Sequence, residues 1–258
     1  MLNILRGFLI GLANLIPGVS GATMAVILGI YEKLIGAVSN LMKFRFTREQ
    51  IFFIATVGLG IVTAIFVGSI GMKKLLEVYP AVAYAVFFGF ILGSLPGLFK
   101  EIGKFKVIHF TIGATLMIAV ELMSRAVQLS QTFLFLAGVV AACAMVLPGI
   151  SGSLVLLILG AYSPVIEGVA KLNLSIVVPF GIGVILGIAL MSIIMDWFTK
   201  TFPSQTRSFT FGLVVASIFK IEPFTKEHTD LPKLIAILSI VALTSYSSFR
   251  LSKRSFWK

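Results

Sequence analysis

Apolar stretches dominate the chain, and the links between them are short. They cover roughly residues 3–38, 50–71, 79–99, 106–127, 133–168, 174–197, 208–219 and 232–249, with charged or proline-containing segments between. About 20 apolar residues suffice for a helix to cross a hydrocarbon core, so these runs predict transmembrane helices. Two runs are different. Segments 3–38 and 133–168 are each interrupted by a Pro-Gly-x-Ser-Gly block, beginning at Pro17 and Pro148. The arms on either side of the first block, 3–16 and 20–36, are shorter than a span or barely long enough. They predict a re-entrant helical hairpin that enters the membrane and returns to the same side.

The two interrupted segments are copies of one another. Residues 15–38 and 146–169 align without a gap, and ten of the 24 positions are identical, among them Pro17/Pro148, Gly18/Gly149, Ser20/Ser151, Gly21/Gly152, Gly29/Gly160 and Tyr31/Tyr162. Further on, at a constant offset of 123, Gly58-Leu59-Gly60 matches Gly181-Ile182-Gly183, Pro80 matches Pro203, Phe88-Gly89 matches Phe211-Gly212 and Ser94 matches Ser217. A duplicated unit of about 125 residues explains this periodicity. Repeat 1 is 1–128 (hairpin 3–38, spans 50–71, 79–99 and 106–127), and repeat 2 is 129–258 (hairpin 133–168, spans 174–197, 208–219 and 232–249). Together they form one integral membrane domain.

Composition agrees with the pattern. At 58% hydrophobic and 12% charged, with a mean hydropathy of +1.07, the chain has too little polar surface for a soluble globule of its size. The net charge of +11 lies in clusters between the apolar runs, which is how membrane topology is encoded; no basic face with interleaved aromatics points to nucleic acid. A single cysteine, Cys143, excludes an intramolecular disulfide framework and a cysteine-rich zinc site. The start of the chain has the look of a signal peptide, but its motif recurs at Pro148, where cleavage makes no sense, so it is read as mature structure.

Charge placement decides between topologies. With re-entrant hairpins and three spans per repeat, 13 of the 21 Lys and Arg fall on the cytoplasmic side and 7 outside, Lys33 being left uncounted on the hairpin. If both broken segments cross fully, the division is ten against ten. The positive-inside rule favours the hairpins. Three spans per repeat is odd, so the second repeat enters upside down. The expected fold is an all-α polytopic membrane protein of two inverted repeats, each a re-entrant helical hairpin followed by three transmembrane helices, with both termini cytoplasmic. That is a recurrent transporter plan, with broken helices meeting near the midplane.

The break carries the candidate chemistry. Two glycines, a proline without an N–H and a serine able to cap force the helix to stop and restart. The N–H groups at each restart, Ser20 to Thr23 and Ser151 to Leu154, point into the break with the positive end of the helix dipole, a setting that suits phosphate. For one copy, a kinked packing helix is explanation enough; two gap-free copies in inverted halves favour a substrate cradle. Asn14, Thr23 and Ser153 flank the breaks, either as caps or as ligands. Glu32, Lys33 and Arg125 are candidate charged contacts, with interfacial snorkelling the default for Lys33 and an i,i+4 pair with Glu121 for Arg125. Asp196 reads as an interfacial helix end, and Gly7/Gly11 and Gly183/Gly187 as helix-packing pairs. His109 and His228 lack partners at metal spacing, so no metal and no cofactor is assigned.

At Pro-Gly-Val-Ser-Gly with Ile-Leu-Gly-Ile-Tyr-Glu, and at Pro-Gly-Ile-Ser-Gly-Ser with Leu-Gly-Ala-Tyr, the chain resembles a bacterial membrane family along nearly its whole length. This is the PopT-like polyprenyl-phosphate transporter family, formerly a domain-of-unknown-function family. The resemblance implies translocation of undecaprenyl phosphate from the outer to the inner leaflet of the bacterial plasma membrane, recycling the cell-envelope lipid carrier. It marks Asn14, Pro17, Gly18, Ser20, Gly21, Thr23, Pro148, Gly149, Ser151, Gly152 and Ser153 as substrate-binding residues. Met145 stands where Asn14 would repeat, and Leu154 where Thr23 would, so the half-sites differ. The expected partner is a polyprenyl-phosphate lipid within the membrane; a coupling proton or sodium ion and the oligomeric state are left open. Two alternatives stand beside this one. A small-anion transporter would present a similar cradle. A polyprenyl-pyrophosphate phosphatase resembles the chain in its Pro-Gly-x-Ser block, but Gly21 and Gly152 occupy the place of that enzyme's arginine, and its Glu-x-x-x-Glu is missing. A non-enzyme is therefore expected.

Overall fold

Several helix boundaries fall at equivalent residues in the two halves, among them Gly21–Ile27 with Gly152–Ile158 and the starts at Pro80 and Pro203. A computed structural model describes residues 1–16, 19–68, 74–75, 78–122, 130–171, 173–221, 223–224 and 230–253. In the first half the helices are α1 (Leu2–Leu15), α2 (Gly21–Ile27), α3 (Tyr31–Met42), α4 (Arg48–Thr63, extended by a π turn to Gly68), α5 (Pro80–Glu101) and α6 (Val107–Leu122). Those of the second are α7 (Gln131–Val146), α8 (Gly152–Ile158), α9 (Tyr162–Ala170), α10 (Leu174–Thr201), α11 (Pro203–Ser217) and α12 (Leu231–Lys253). Pro80 and Pro203 occupy the first turns of α5 and α11, where a missing N–H costs nothing. The residues before them, Tyr79 and Phe202, share one backbone conformation (φ −137°, ψ 58° and φ −131°, ψ 59°). Thr47 and Gln50 start α4 with a capping box, while Ser130 and Asn173 cap α7 and α10.

The expected return arm 20–36 is two helices, not one. After seven residues α2 ends at Ile27, and Gly29 just beyond it has a φ of 64°, matched by 66° at Gly160 after α8. Left-handed glycines of this kind close helices, and the Ile30 and Ala161 amides reach back to the carbonyls of Ala25 and Leu156 at 3.0 and 2.9 Å. Beyond Gly29 the chain turns through 119° into α3.

Four helices among the described residues are long and apolar enough to cross a membrane: Arg48–Gly68, Pro80–Glu101, Leu174–Thr201 and Leu231–Arg250. Their outer faces leave large apolar side chains exposed, such as Phe52 and Phe66 on α4 and Ile182 and Ile185 on α10. With α1, α7 and Val107–Ala119 as shorter apolar helices, the chain is a multi-pass helical membrane protein.

Glycines set the helix pairs. A side chain at Gly7 would collide with the Val57 carbonyl and one at Gly60 with the Ile4 carbonyl, so α1 and α4 touch backbone to backbone. In the second half, Gly138 faces the Phe180 carbonyl and Gly183 the Phe135 carbonyl, residue for residue the same contacts between α7 and α10. Gly11 and Gly187 lie in these seams, as expected of packing residues. The later helices exchange partners. Helix α5 packs on α12, and α11 packs on α6. At the centres of these pairs Gly89 faces the Val241 carbonyl and Gly212 the Phe110 carbonyl. The equivalent serines Ser94 and Ser217 both turn their hydroxyls onto the carbonyl three residues back, Ile91 and Val214, at 2.7 and 2.8 Å. One apolar core gathers around α1–α3 and α5, and a second around α7–α9 with α6 and α11.

Candidate functional site

Both breaks begin alike. Ile16 and Leu147, the residues after α1 and α7, are extended (φ −94°, ψ 122° and φ −76°, ψ 125°). Each amide still bonds three residues back, to Ala13 and Ala144, and the Val19 and Ile150 amides then return to Ile16 and Leu147. Pro17 and Gly18 lie outside the described residues; their counterpart Pro148 is fully buried.

In the first break, the Asn14 side-chain oxygen accepts from the Gly21 amide at 3.0 Å. The carboxamide therefore braces the start of α2, and Gly21 has no room for a side chain because a Cβ would sit 2.5 Å from the Asn14 amide nitrogen. Ser20 occupies the N-cap position in extended geometry but makes no side-chain capping bond. Its hydroxyl, in a residue 4% exposed, has no hydrogen-bond partner. In the second break, Ser151 and Ser153 share one hydrogen bond of 2.8 Å. By helix geometry the Ala22 and Thr23 amides, and those of Ser153 and Leu154, precede the first intrahelical bond of α2 and α8.

The two breaks meet. Buried Thr23 accepts, through Oγ1, a 2.6 Å bond from the amide of Gly149, and the Tyr31 hydroxyl donates to the Val146 carbonyl at 3.1 Å. Gly149 has a φ of +90°, and a Cβ there would lie 2.6 Å from the Leu213 carbonyl oxygen. A cleft of about 260 Å³ runs alongside, lined in part by Asn14, Gly21, Tyr31, Met145 and Ser192. The structure thus joins Asn14 to Gly21, Thr23 to Gly149 and Ser151 to Ser153. Gly152 packs near the Ala141 carbonyl, 2.9 Å from a notional Cβ.

The charged candidates lie elsewhere. The Lys33 ammonium sits 4.7 Å from the centre of the Phe53 ring, and Arg125 is outside the described residues. Glu32 takes a bidentate contact from Arg207, Nε to Oε1 at 2.8 Å and Nη2 to Oε2 at 3.2 Å. Arg207 Nη1 also donates to the Glu101 carbonyl at 3.0 Å. Sequence reasoning used Arg207 only as a marker of sidedness. The signal it passed over is asymmetry: the repeat puts Tyr84 at the place equivalent to Arg207 and Ser163 at that of Glu32. Asp196 lies near the C-terminal end of α10, five residues before Thr201. It is buried, its Oδ1 lies beside Gly36 of α3, and it pairs with Lys200 at 2.8 Å.

Fold and site together define a multi-pass membrane protein with two equivalent helix breaks locked against each other in its interior. The chain matches the family model described as VCA0040-like, undecaprenyl phosphate translocase-like, over residues 10–234, and it belongs to that family. It is 31% identical over 237 residues to a polyprenyl-phosphate transporter of Vibrio cholerae serotype O1, covering 85% of this chain and 77% of that protein. It is 34% identical over 246 residues to a polyprenyl-phosphate transporter of Staphylococcus aureus, covering 86% of each. No solved structure matches the chain.

Proposed function

We propose that the protein moves undecaprenyl phosphate across the bacterial plasma membrane, from the outer to the inner leaflet, by alternating access around the paired breaks. The observation that carries this reading is the Thr23–Gly149 bond: in a chain whose relatives are named polyprenyl-phosphate transporters, it ties the two restart sites together inside the membrane domain. The exchanged packing of α5 with α12 and α11 with α6 supports two halves related by a twofold axis. Together with the charge distribution along the sequence, it supports inverted repeats with both termini cytoplasmic.

In this reading the phosphate is held by the Ser20, Ser151 and Ser153 hydroxyls and the first-turn amides. Asn14 and Thr23 brace the breaks. Ser20 and Ser151 are 4% and 6% exposed, which fits an occluded state, and rocking of the halves opens the breaks to one leaflet at a time. The unpartnered Ser20 hydroxyl fits such a role, since a buried polar group without a partner is costly unless a ligand supplies one. The polyprenyl tail stays in lipid while the head group crosses. Glycine at positions 21 and 152 supports transport over the phosphatase alternative.

Reconstitution in vesicles with labelled undecaprenyl phosphate tests the reading, with undecaprenyl pyrophosphate and soluble phosphate as competitors. The protein should accelerate transfer between leaflets, and Ser20→Ala combined with Ser151→Ala should slow it while leaving membrane insertion intact. Transfer no faster than in empty vesicles sinks the proposal.

A further inference from the structure

Apart from the breaks, the densest cluster of charge and hydroxyl groups bordering a cavity is the one around Arg207. A space of about 250 Å³ is lined by Glu32, Glu101, Thr199, Thr206, Arg207 and Thr210 among others, with Tyr31 on the side toward the breaks. Thr206 also borders a second, larger groove of about 530 Å³, whose walls include Ile112, Leu116, Leu147, Met191 and Phe209. A polar cavity and an apolar groove that share a wall have the shape of an amphiphile.

We propose that this pair of cavities is a portal for a polyprenyl phosphate, in which Arg207 binds the phosphate head group, Glu32 occupies Arg207 when no lipid is bound, and the groove beyond Thr206 takes the first isoprenoid units. It rests on the polyprenyl-phosphate reading above and adds a second station to it, apart from the breaks.

Four observations carry the assignment. First, the guanidinium fork that meets both Glu32 oxygens, at 2.8 and 3.2 Å, is the geometry with which arginine also grips two oxygens of a phosphate. The Glu32 carboxylate therefore stands in for the anion, and the third nitrogen, held by the Glu101 carbonyl, keeps the fork aimed. Second, the pair is asymmetric. A contact that merely stapled α3 to α11 would serve the second half equally, yet Tyr84, Ser163 and Phe224 stand where Arg207, Glu32 and Glu101 would repeat. With both side chains 40–50% exposed, at 41% for Arg207 and 48% for Glu32, an ion pair adds little stability, so its arginine remains available to a better anion.

Third, both cavities reach the breaks. Tyr31 lines the polar one and bonds Val146 at the end of α7, while Leu147 of the second break lines the groove. Fourth, aromatic rings gather at this level: Trp197, Phe198 and Phe202 lie in mutual contact, with Trp197–Phe198 centroids 4.9 Å apart, and Phe99, Phe105, Phe110 and Phe211 form a second group. Tryptophan is enriched where head groups lie, and Trp197 packs against Phe198 and Phe202 of the groove wall.

The test is binding of farnesyl phosphate, a short polyprenyl phosphate, to the purified full-length protein in detergent, with farnesol and inorganic phosphate in parallel. Wild type should bind farnesyl phosphate and discriminate against both controls, because each carries only half of the recognised molecule. Arg207→Gln should lose roughly tenfold or more in affinity, as expected when a bidentate charged contact is removed, and Arg207→Lys should recover only part of it. Glu32→Gln, which keeps Arg207 and frees it of its competitor, should bind more tightly than wild type. Leu116→Trp, which fills the groove, should weaken farnesyl phosphate.

A folded Arg207→Gln that binds like wild type overturns the portal, as does inorganic phosphate binding as well as farnesyl phosphate. Should Arg207→Gln not fold, unchanged or weaker binding by Glu32→Gln overturns it instead. Vesicle transfer separates the two proposals: transport by wild type with unaltered Arg207→Gln binding removes the portal alone, whereas no transport by wild type removes the transport reading.

Discussion

The Thr23 hydroxyl accepts a 2.6 Å hydrogen bond from the Gly149 amide, so the first turn of one short helix satisfies a backbone donor of the opposite break. The bond has no counterpart, because the residue equivalent to Thr23 is Leu154. Thr23→Val keeps the shape and removes the acceptor, leaving a buried N–H unpaired, at a cost of about 1–3 kcal/mol. Thr23→Ser should retain most of the stability. Thermal unfolding of the purified variants in detergent checks the order wild type, Ser, Val; an unshifted Val variant would show that the bond contributes nothing.

Glycine substitutions should separate sharply by position. Gly149 combines a φ of +90° with a carbonyl 2.6 Å from a notional Cβ, so Gly149→Ala adds backbone strain of about 1–3 kcal/mol to a clash. Gly58 and Gly181, equivalent in the two halves, meet nothing within 4 Å. In these helix interiors alanine should be neutral or stabilising, by up to about 1 kcal/mol. Comparing the unfolding midpoints of the three alanine variants decides it, and similar losses at all three would contradict the geometry.

Equivalent seams make a third prediction. Because Gly60 lies against the Ile4 carbonyl and Gly183 against the Phe135 carbonyl, Gly60→Leu and Gly183→Leu should both force their helix pair apart and reduce folded protein in the membrane to a similar degree. Quantifying folded, membrane-extracted protein by fluorescence-detected size exclusion gives the readout. A severe loss at only one position would show that the two seams are not energetically equivalent.

How far the sequence could be read depends on the range of each interaction. The Pro-Gly breaks, the long apolar helices and the glycine pairs are local or periodic, so they stand in the one-dimensional pattern. The end of α2 does not, although its signal was present: Gly29 repeats as Gly160, but the apolar run continues through Leu28 and Ile30, and hydrophobicity cannot register a left-handed turn. The exchange of α5 and α11 between halves is invisible because it joins segments far apart in the chain. At the site, serine and threonine look alike in sequence. Only the structure makes Thr23 a brace, leaves Ser20 unpartnered, and brings Arg207 to Glu32 across 175 residues.

Sidedness gives the last prediction. Cys143 is half-buried, its thiol 3.5 Å from the Gly187 carbonyl, so Cys143→Ala should provide a functional cysteine-free background. Arg45, Lys74 and Lys104 are exposed in links between helices. In the inverted arrangement, single cysteines introduced at 45 and 104 face the cytoplasm, and one at 74 faces outward. A membrane-impermeant maleimide applied to intact cells should therefore label the cysteine at 74 and spare the other two until the membrane is opened. Alternation of this kind is what three spans between equivalent hairpins require. If 45 and 104 were labelled from outside while 74 stayed protected, the first hairpin would have to cross the bilayer, and the two breaks could no longer present matching half-sites to opposite leaflets.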